Sequence, residues 1–457
     1  MSETLLPNVL VDIKTYRKRW LILFIYVLYS AVNSFQWMEY CIIENVVMDY
    51  YKVSSIAVDW TSIIYMAFYP VLVVPVSFIV DRYVSILFLK CIYFVPFFKG
   101  LRVAALIGGL GTTLGVAIKV FSINPSLFSV VLVGQAIGSV AQVFVLCLPS
   151  KIAAVWFPPN EISTSCSLGI FGTQLGFALG FIVPSALVKM HSDSDEIGSG
   201  LKILCWGLTI FMMPVSFAIL HWFQKEPKLP PSTIQFEERK KSAKKFKEFL
   251  SSFRNLLTDR GFLLHMTAYG INVAVFSSLG TFLNQFVLYY LPEAESQIGC
   301  MGFTMVVVGM VGSIVFGFIL DKTRKYKEST LIIYVSCAIS VIAFLFALEK
   351  RSQFLVYVSL ALLGFFTNAY MPVGFEFAVE MTYPLDEGTT TGMLNAMTQG
   401  LGVFTTIILG ELNTRFGYFV AILCQAGLMF LGSLITIFIP NNLKRQKALI
   451  RNEALLN

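Results

Sequence analysis

The residues of this sequence that could do chemistry are polar side chains set inside long apolar runs. One run carries Asn33, Gln36, Trp37, Glu39, Tyr40, Glu44 and Asn45. Another holds Gln174 within FGTQLGFALGF, a third Asn272, Asn284 and Gln285, and a fourth Asn395 and Gln399 within GMLNAMTQGLG. Polar groups in such surroundings are expensive to keep, so each needs a reason. An indole face attracts a cation, a carboxylate does so more strongly, and a side-chain amide can take a hydroxyl proton. Packing is the competing explanation: Gln174 and Gln399 stand among glycines, where hydrogen bonding between helices serves equally well. Trp37 lies in mid-run, away from the ends where aromatic anchors collect. Glu39 and Glu44 read as nearer an outer vestibule, either solvated or attracting a cation.

Enzyme chemistry finds no support. No Gly-rich loop precedes a lysine, and neither HExxH nor GxSxG occurs. His191, His221 and His265 are far apart and make no ligand pair, and the eight cysteines show no CxxC. The cysteines read as small buried hydrophobes. Neither a metal site nor a cofactor is expected.

The elements that must position these residues follow from composition. With 56% hydrophobic and 13% charged residues in 457, and a mean hydropathy of +0.73, the solvent is lipid. A span needs about 20 mostly apolar residues. Runs of that kind are expected at 20–47, 59–80, 103–120, 125–150, 165–188 and 201–223, then at 262–291, 298–320, 329–348, 354–379, 388–412 and 417–439. The fold class is an all-α polytopic membrane protein of twelve transmembrane helices. No cleavable signal is read, because the first run is long and lacks a small-residue cleavage site. A tail (1–19), a six-helix half (20–223), a Lys-rich linker (224–260, with EERKKSAKKFKEF), a second half (261–440) and a final tail (441–457) give the organisation. The 6+6 pattern resembles that of facilitators, whose substrate site lies at the midplane between the halves.

Lys and Arg cluster in both tails, the linker and the second-to-third and eighth-to-ninth loops, whereas the opposite loops carry Asp49, Asp59, Asp193, Asp195, Glu196, Glu293 and Glu295. The basic side is expected to be cytoplasmic, with both termini there. The formal net charge of +7 is thereby explained by orientation and by contact with membrane lipid; no nucleic-acid partner is implied. Asp81 and Arg82 in one half match Gly317, Asp321, Lys322 and Arg324 in the other, and read as paired elements of a cytoplasmic gate.

The first of these loops looks interrupted by VSILFLKCIYFVPFFK at 84–99, too short to span comfortably. Removing it leaves FIVDRYGLRVAALIG. The segment fits a translated intron, since Val-Ser and Phe-Phe-Lys can be encoded by splice-donor and acceptor sequences. The alternative is an interfacial segment on the cytoplasmic leaflet.

YRKRW at 16–20, NSFQWMEY at 33–40, Asp59-Trp60, FGTQLG at 171–176, LDKTRKYKE at 320–328, MPVGFEFAVEMTYP at 371–384 and EGTTTGMLNAMTQ at 387–399 together carry a resemblance over nearly the whole chain. It is to the feline leukaemia virus subgroup C receptor-related transporters of the major facilitator superfamily. In facilitators the first, fifth, seventh and eleventh spans surround the central cavity. The resemblance implies facilitated transport of choline and ethanolamine down the electrochemical gradient, with haem export a further activity attributed to the family. By position, Trp37 would be the cation–π wall, and Gln174 and Gln399 would face the choline hydroxyl, with Asn45 on the same span as Trp37. Where the family has a Tyr this chain has Ser277, beside Phe276; Glu39 and Glu44 stand where Gln and Asn are usual. Choline-type transport, haem export and a non-transporting receptor or scaffold are the readings to be separated. The chain reads as a monomer of the plasma membrane.

Overall fold

The computed structural model of the chain describes residues 3–6, 9–81, 100–190, 194–232, 235–236, 251, 254–383, 385 and 387–447, and for 3–6, 9–12, 78–81 and 321 the backbone alone. Twelve helices long and apolar enough to cross a membrane are present among the described residues. The first half has Lys18–Tyr51, Ser55–Ser77, Leu101–Ile123, Phe128–Trp156, Pro159–Leu187 and Ser194–Trp222. The second has Arg260–Tyr290, Pro292–Leu320, Tyr326–Glu349, Gln353–Thr382, Glu387–Phe416 and Tyr418–Phe438. An even number of crossings leaves both tails on one side, called here the tail face; the other is the far face. The insertion 84–99 and Arg82 lie outside the described residues, as do most of the linker and the end of the last tail.

The spans fall where continuous apolar runs place them, because lipid forces every backbone group to be satisfied inside its own helix. The sixth begins earlier than expected, at Ser194, with Asp195 and Glu196 in its first turn. Carboxylates there complement the positive end of the helix dipole, so residues that read as loop acids belong to the helix.

The first span is not one continuous helix. An α-helix from Lys18 to Met38 gives way to a 3-10 turn over Cys41–Ile43, then to a short helix Glu44–Tyr51. Lys52, in the left-handed region at φ 53°, ends it. The tail before the first span adds a hairpin, Glu3–Leu6 against Val9–Asp12, antiparallel with Glu3 opposite Asp12. Apart from this hairpin, the regular structure among the described residues is helical.

Small residues bring helices together. A Cβ on Gly176 would strike the backbone of Ala31, and one on Gly364 the backbone of Met305. Without a hydrophobic drive between helices in lipid, such close backbone approach supplies the packing energy. The lipid-facing surface carries Phe121, Phe318, Phe354 and Phe438, each 73% or 72% exposed.

The buried apolar residues form two clusters. One is confined to the first half and includes Tyr26, Tyr29, Phe144 and Trp156. The other runs through the second half and continues across to Met38, Val46 and Tyr50 at the far-face end of the first span. The halves are therefore sealed together by apolar packing on the far face. On the tail face a small pocket of about 30 Å³ lies between the second, fourth and eleventh spans, lined by Tyr69, Ser77, Lys151, Thr391 and Asn395.

Candidate functional site

Trp37 is 4% exposed and lies where the halves meet. Its indole Nε1 donates to Ser62 Oγ at 2.8 Å, and Ser62 Oγ is 2.9 Å from Thr281 Oγ1 on the seventh span. The indole is thus oriented from both halves at once. Tyr65 stacks on it with centroids 6.0 Å apart and planes inclined by 16°, and Phe177 meets it edge-on at 5.3 Å. Trp37 and Tyr65 face one another and Phe177 meets the indole edge-on, a cluster of rings whose faces are of the kind that draw a cation.

Gln174 lies on the fifth span with Phe177, and Gln399 on the eleventh span, whose Gly402 comes close to Met66, the neighbour of Tyr65. Gln174 precedes Phe177 by three residues and so shares its helix face; its amide nitrogen donates to Met371 Sδ at 3.6 Å. Tyr65 and Gln399 lie one turn deeper than Tyr69 and Asn395, which line the tail-face pocket. The pocket therefore lies one turn to the tail-face side of the aromatic cluster. The side-chain oxygens of both Gln174 and Gln399 are buried and have no hydrogen-bond partner among the described residues. Leaving such an acceptor unmade costs about 1–3 kcal/mol; the side-chain oxygens of Asn33, Gln36 and Asn272 are buried in the same way. Phe276 and Ser277, each 7% exposed, sit one turn from Thr281, whose hydroxyl donates to the Ser277 carbonyl at 3.0 Å.

The other intramembrane polar residues divide by what they touch. Asn33 donates to Thr112 Oγ1 and the Gly138 carbonyl, both at 3.0 Å, and Gln36 to the Thr112 carbonyl at 3.3 Å. Asn272 reaches the sulfurs of Cys337 and Met429. These bonds stay within one half and hold helices together. Glu39 belongs with them. It is 2% exposed and pairs with Lys119, itself 1% exposed, whose ammonium also meets Gln135 Oε1 at 3.3 Å and lies 5.6 Å from the Tyr40 ring centroid. Glu39 was expected in a vestibule; its buried ion pair within the first half leaves no free charge to offer a ligand.

At the far face the halves are joined by hydrogen bonds. Asn284 donates to the Ile42 carbonyl at 2.8 Å and to Asn45 Oδ1 at 3.1 Å, while Asn45 donates to Glu295 Oε1 at 2.5 Å. Gln285 donates to Asp59 Oδ1 at 3.1 Å across the halves, while within the first half Ser55 Oγ donates to Glu44 Oε1 at 2.5 Å. The break in the first span makes this seam possible, since it frees the Ile42 carbonyl for Asn284. Asp59, read from sequence as a loop acid, lies within the second helix and is 5% exposed. Asn45 and Glu44 thus belong to the seam, beyond Trp37.

The tail face holds a looser set of charges. Arg19 Nε and Nη2 reach Glu161 Oε2 and Oε1, each at 3.1 Å. Asp259 caps the seventh span by accepting from the amides of Gly261 and Phe262, and meets Lys444 at 3.1 Å. Arg445 lies 3.5 Å from Glu387. Of the expected gate residues, Lys322 and Arg324 are exposed, and Arg324 ends the eighth helix with φ 52°. A Cβ on Gly317 would meet nothing within 4 Å. Arg82 and the side chains of Asp81 and Asp321 lie outside what is described. Among the described residues no three His, Cys, Asp or Glu come together in a way that could hold a metal.

Comparison with known proteins agrees with this architecture. The pattern of the Major Facilitator Superfamily matches residues 20–405 and 267–454. The choline/ethanolamine transporter flvcr2a of Danio rerio is 39% identical over 435 residues, 95% of this chain and 89% of that protein. The choline/ethanolamine transporter FLVCR2 of Homo sapiens is 37% identical over 442 residues, 97% and 81% of the two chains. Among solved structures, a bacterial homologue of the human lysosomal transporter Spinster, inward-facing and unoccupied, superposes with a TM-score of 0.69 at 13% identity, covering 94% of this chain and 99% of that one.

Proposed function

The chain belongs to the major facilitator superfamily, in its feline leukaemia virus subgroup C receptor-related branch, and on that premise we propose that it carries choline and ethanolamine across the membrane by alternating access. It is an integral multi-pass membrane transporter and not an enzyme. The observation that carries the cargo assignment is the pairing of Trp37, stacked on Tyr65, with the unpartnered amide oxygens of Gln174 and Gln399. The rings would hold the ammonium and the amides would accept its hydroxyl proton, or for ethanolamine its N–H as well.

The apolar packing across the halves at the far face supports reading the described form as one closed on that side. With the basic tail face cytoplasmic, the protein acts at the plasma membrane as a monomer, its basic loops against lipid headgroups, and the cation moves down its electrochemical gradient. Asp81, Arg82, Gly317, Asp321, Lys322 and Arg324 serve the cytoplasmic gate. Haem fits the site less well. It is large and anionic, and Lys119, the buried cation of the first half, is already neutralised by Glu39.

Labelled choline uptake in cells expressing the full chain tests the assignment. Uptake is expected, with Trp37→Ala abolishing it while the protein still reaches the surface. A chain that reaches the surface without moving choline would instead favour haem or a scaffold role. The same assay on a chain lacking 84–99 decides whether that segment is a tolerated loop or an interruption.

A further inference from the structure

Glu44 and Asp59 sit farther toward the far face than Trp37, where the first, second, seventh, eleventh and twelfth spans meet. Asp59 precedes Ser62 by three residues and Gln285 follows Thr281 by four. The pair therefore lies about one helical turn beyond the Trp37–Ser62–Thr281 hydrogen bonds. Glu44 is 2% and Asp59 5% exposed.

Among the described residues, the hydrogen-bond partners of these two carboxyls are neutral. Ser55 holds Glu44 Oε1 and Gln285 holds Asp59 Oδ1, while Glu44 Oε2, fully buried, makes no hydrogen bond among the described residues. The titratable groups facing the pair are Cys41 from the break in the first span and Tyr418 from the twelfth; neither carries positive charge. From the eleventh span Gly410 comes close, a Cβ there lying 3.9 Å from Asp59 Oδ2. Its neighbours Glu411 and Arg415 are exposed and paired with each other, as are Lys52 and Asp49 on the first span. Glu295, in the loop after the seventh span, is engaged by Asn45. Two carboxyls this deeply buried without a counter-charge cannot both remain ionised: they require a proton or another cation. The seam that buries them joins the halves through Gln285–Asp59 and Asn284–Asn45 together with apolar packing, and alternating access must break it.

We propose that Glu44 and Asp59 form an outer subsite for the ammonium group of the substrate, filled when the seam is open and vacated inward to Trp37 as it closes. The inference rests on the reading of the chain as a carrier of small ammonium compounds. With the seam open, the ionised carboxylates draw the cation from outside. As it closes, the cation passes one turn inward, protons from the outer solution, one for each carboxylate, neutralise the pair, and Gln285 takes Asp59. Substrate and external protons compete for the same two groups.

The test is labelled choline uptake by the full chain, with KM and Vmax measured as external pH is lowered. In wild type, acid raises KM. Glu44→Gln and Asp59→Asn are expected to raise KM severalfold at neutral pH, more than they lower Vmax, and to flatten its dependence on pH. Competition by 3,3-dimethylbutan-1-ol, the neutral isostere of choline, should not move. Unchanged KM and an unchanged pH profile in both variants would overturn the subsite. A second measurement does not require neutral variants. In Ser55→Cys combined with Trp37→Ala, choline should slow thiol labelling from outside and the neutral isostere should not; equal effects, or none, argue against the subsite. Trp37→Ala alone separates the two levels of the argument. Uptake that depends on Trp37 but not on Glu44 or Asp59 removes the subsite and spares the carrier, whereas no choline uptake by wild type removes both.

Discussion

Glu39 and Glu44 lie five residues apart on the first span, are equally buried at 2% exposure, and are used in opposite ways. Glu39 is matched by Lys119 on the third span, so the charge is cancelled inside one half. Glu44 has Ser55 and an unpaired oxygen, and lies beside Asp59 where the halves part. A buried charge answered within a rigid half can only hold that half together. One left unanswered between the halves would, on the proposed mechanism, make the closing of the seam depend on a cation. The break at Cys41–Ile43 separates the two environments and lets one span serve both.

The largest effect expected from this contrast comes from removing the answering charge. Lys119→Met leaves Glu39 buried and unpaired, which destabilises a protein by about 3–5 kcal/mol. Surface expression and the unfolding temperature of the detergent-solubilised protein should both fall sharply. Adding Glu39→Gln to Lys119→Met should restore most of the loss, because two neutral groups of similar volume are readily buried. Glu44→Gln should leave the unfolding temperature unchanged or raise it. If Lys119→Met and Glu44→Gln behave alike, the distinction between the two carboxylates is wrong.

A smaller effect sharpens the other side of the comparison. Gln285→Leu removes the amide that Asp59 accepts in the closed seam, a bond worth about 1.5–3 kcal/mol if Asp59 is charged and about 1 if it is neutral. The open form should gain roughly fivefold or more in population by the same conversion. Labelling of Ser55→Cys from outside would report this as faster modification. No change in rate would mean that apolar packing around Met38, Val46 and Tyr50 alone holds the far face closed.

What the sequence disclosed follows the same physics. The spans were legible because lipid demands unbroken apolar runs, and Trp37, Gln174 and Gln399 stood out as polar or amphipathic groups within them. The interruption of the first span left no mark, since Tyr40, Cys41, Ile42 and Ile43 continue the apolar run and the break is set by tertiary bonds. Lys119 gave no warning because a lysine near the end of a run reads as solvated, and only folding brings it against Glu39. Asp59 was misplaced for a related reason: it stands at the edge of its apolar run, yet the helix starts at Ser55 and buries it. Tyr65 and Phe177 were silent because aromatic residues in apolar runs are ordinary, and their ring geometry around Trp37 is a property of three helices at once.

The smallest expected effect belongs to charges that water already answers. Asp259 and Lys444 on the tail face are 39% and 40% exposed, and an ion pair in that setting contributes about 0–1 kcal/mol. Asp259 matters more as the cap of the seventh span, accepting from Gly261 and Phe262 at 2.9 and 3.2 Å. Burial pushes its carboxyl upward, but the Phe262 amide, Lys444 and the Gly261 amide together hold it below its ordinary value. A carboxyl depressed in the folded state contributes stability above its unfolded value and loses it as pH falls through the folded one. Asp259→Ala should lower stability by about 1 kcal/mol at neutral pH, Lys444→Ala by a few tenths, and the wild-type advantage over Asp259→Ala should vanish in acid. Unfolding temperatures of the three proteins across that pH range measure it. A Lys444→Ala loss as large as that of Lys119→Met would mean that exposure does not separate the structural charges from the solvated ones.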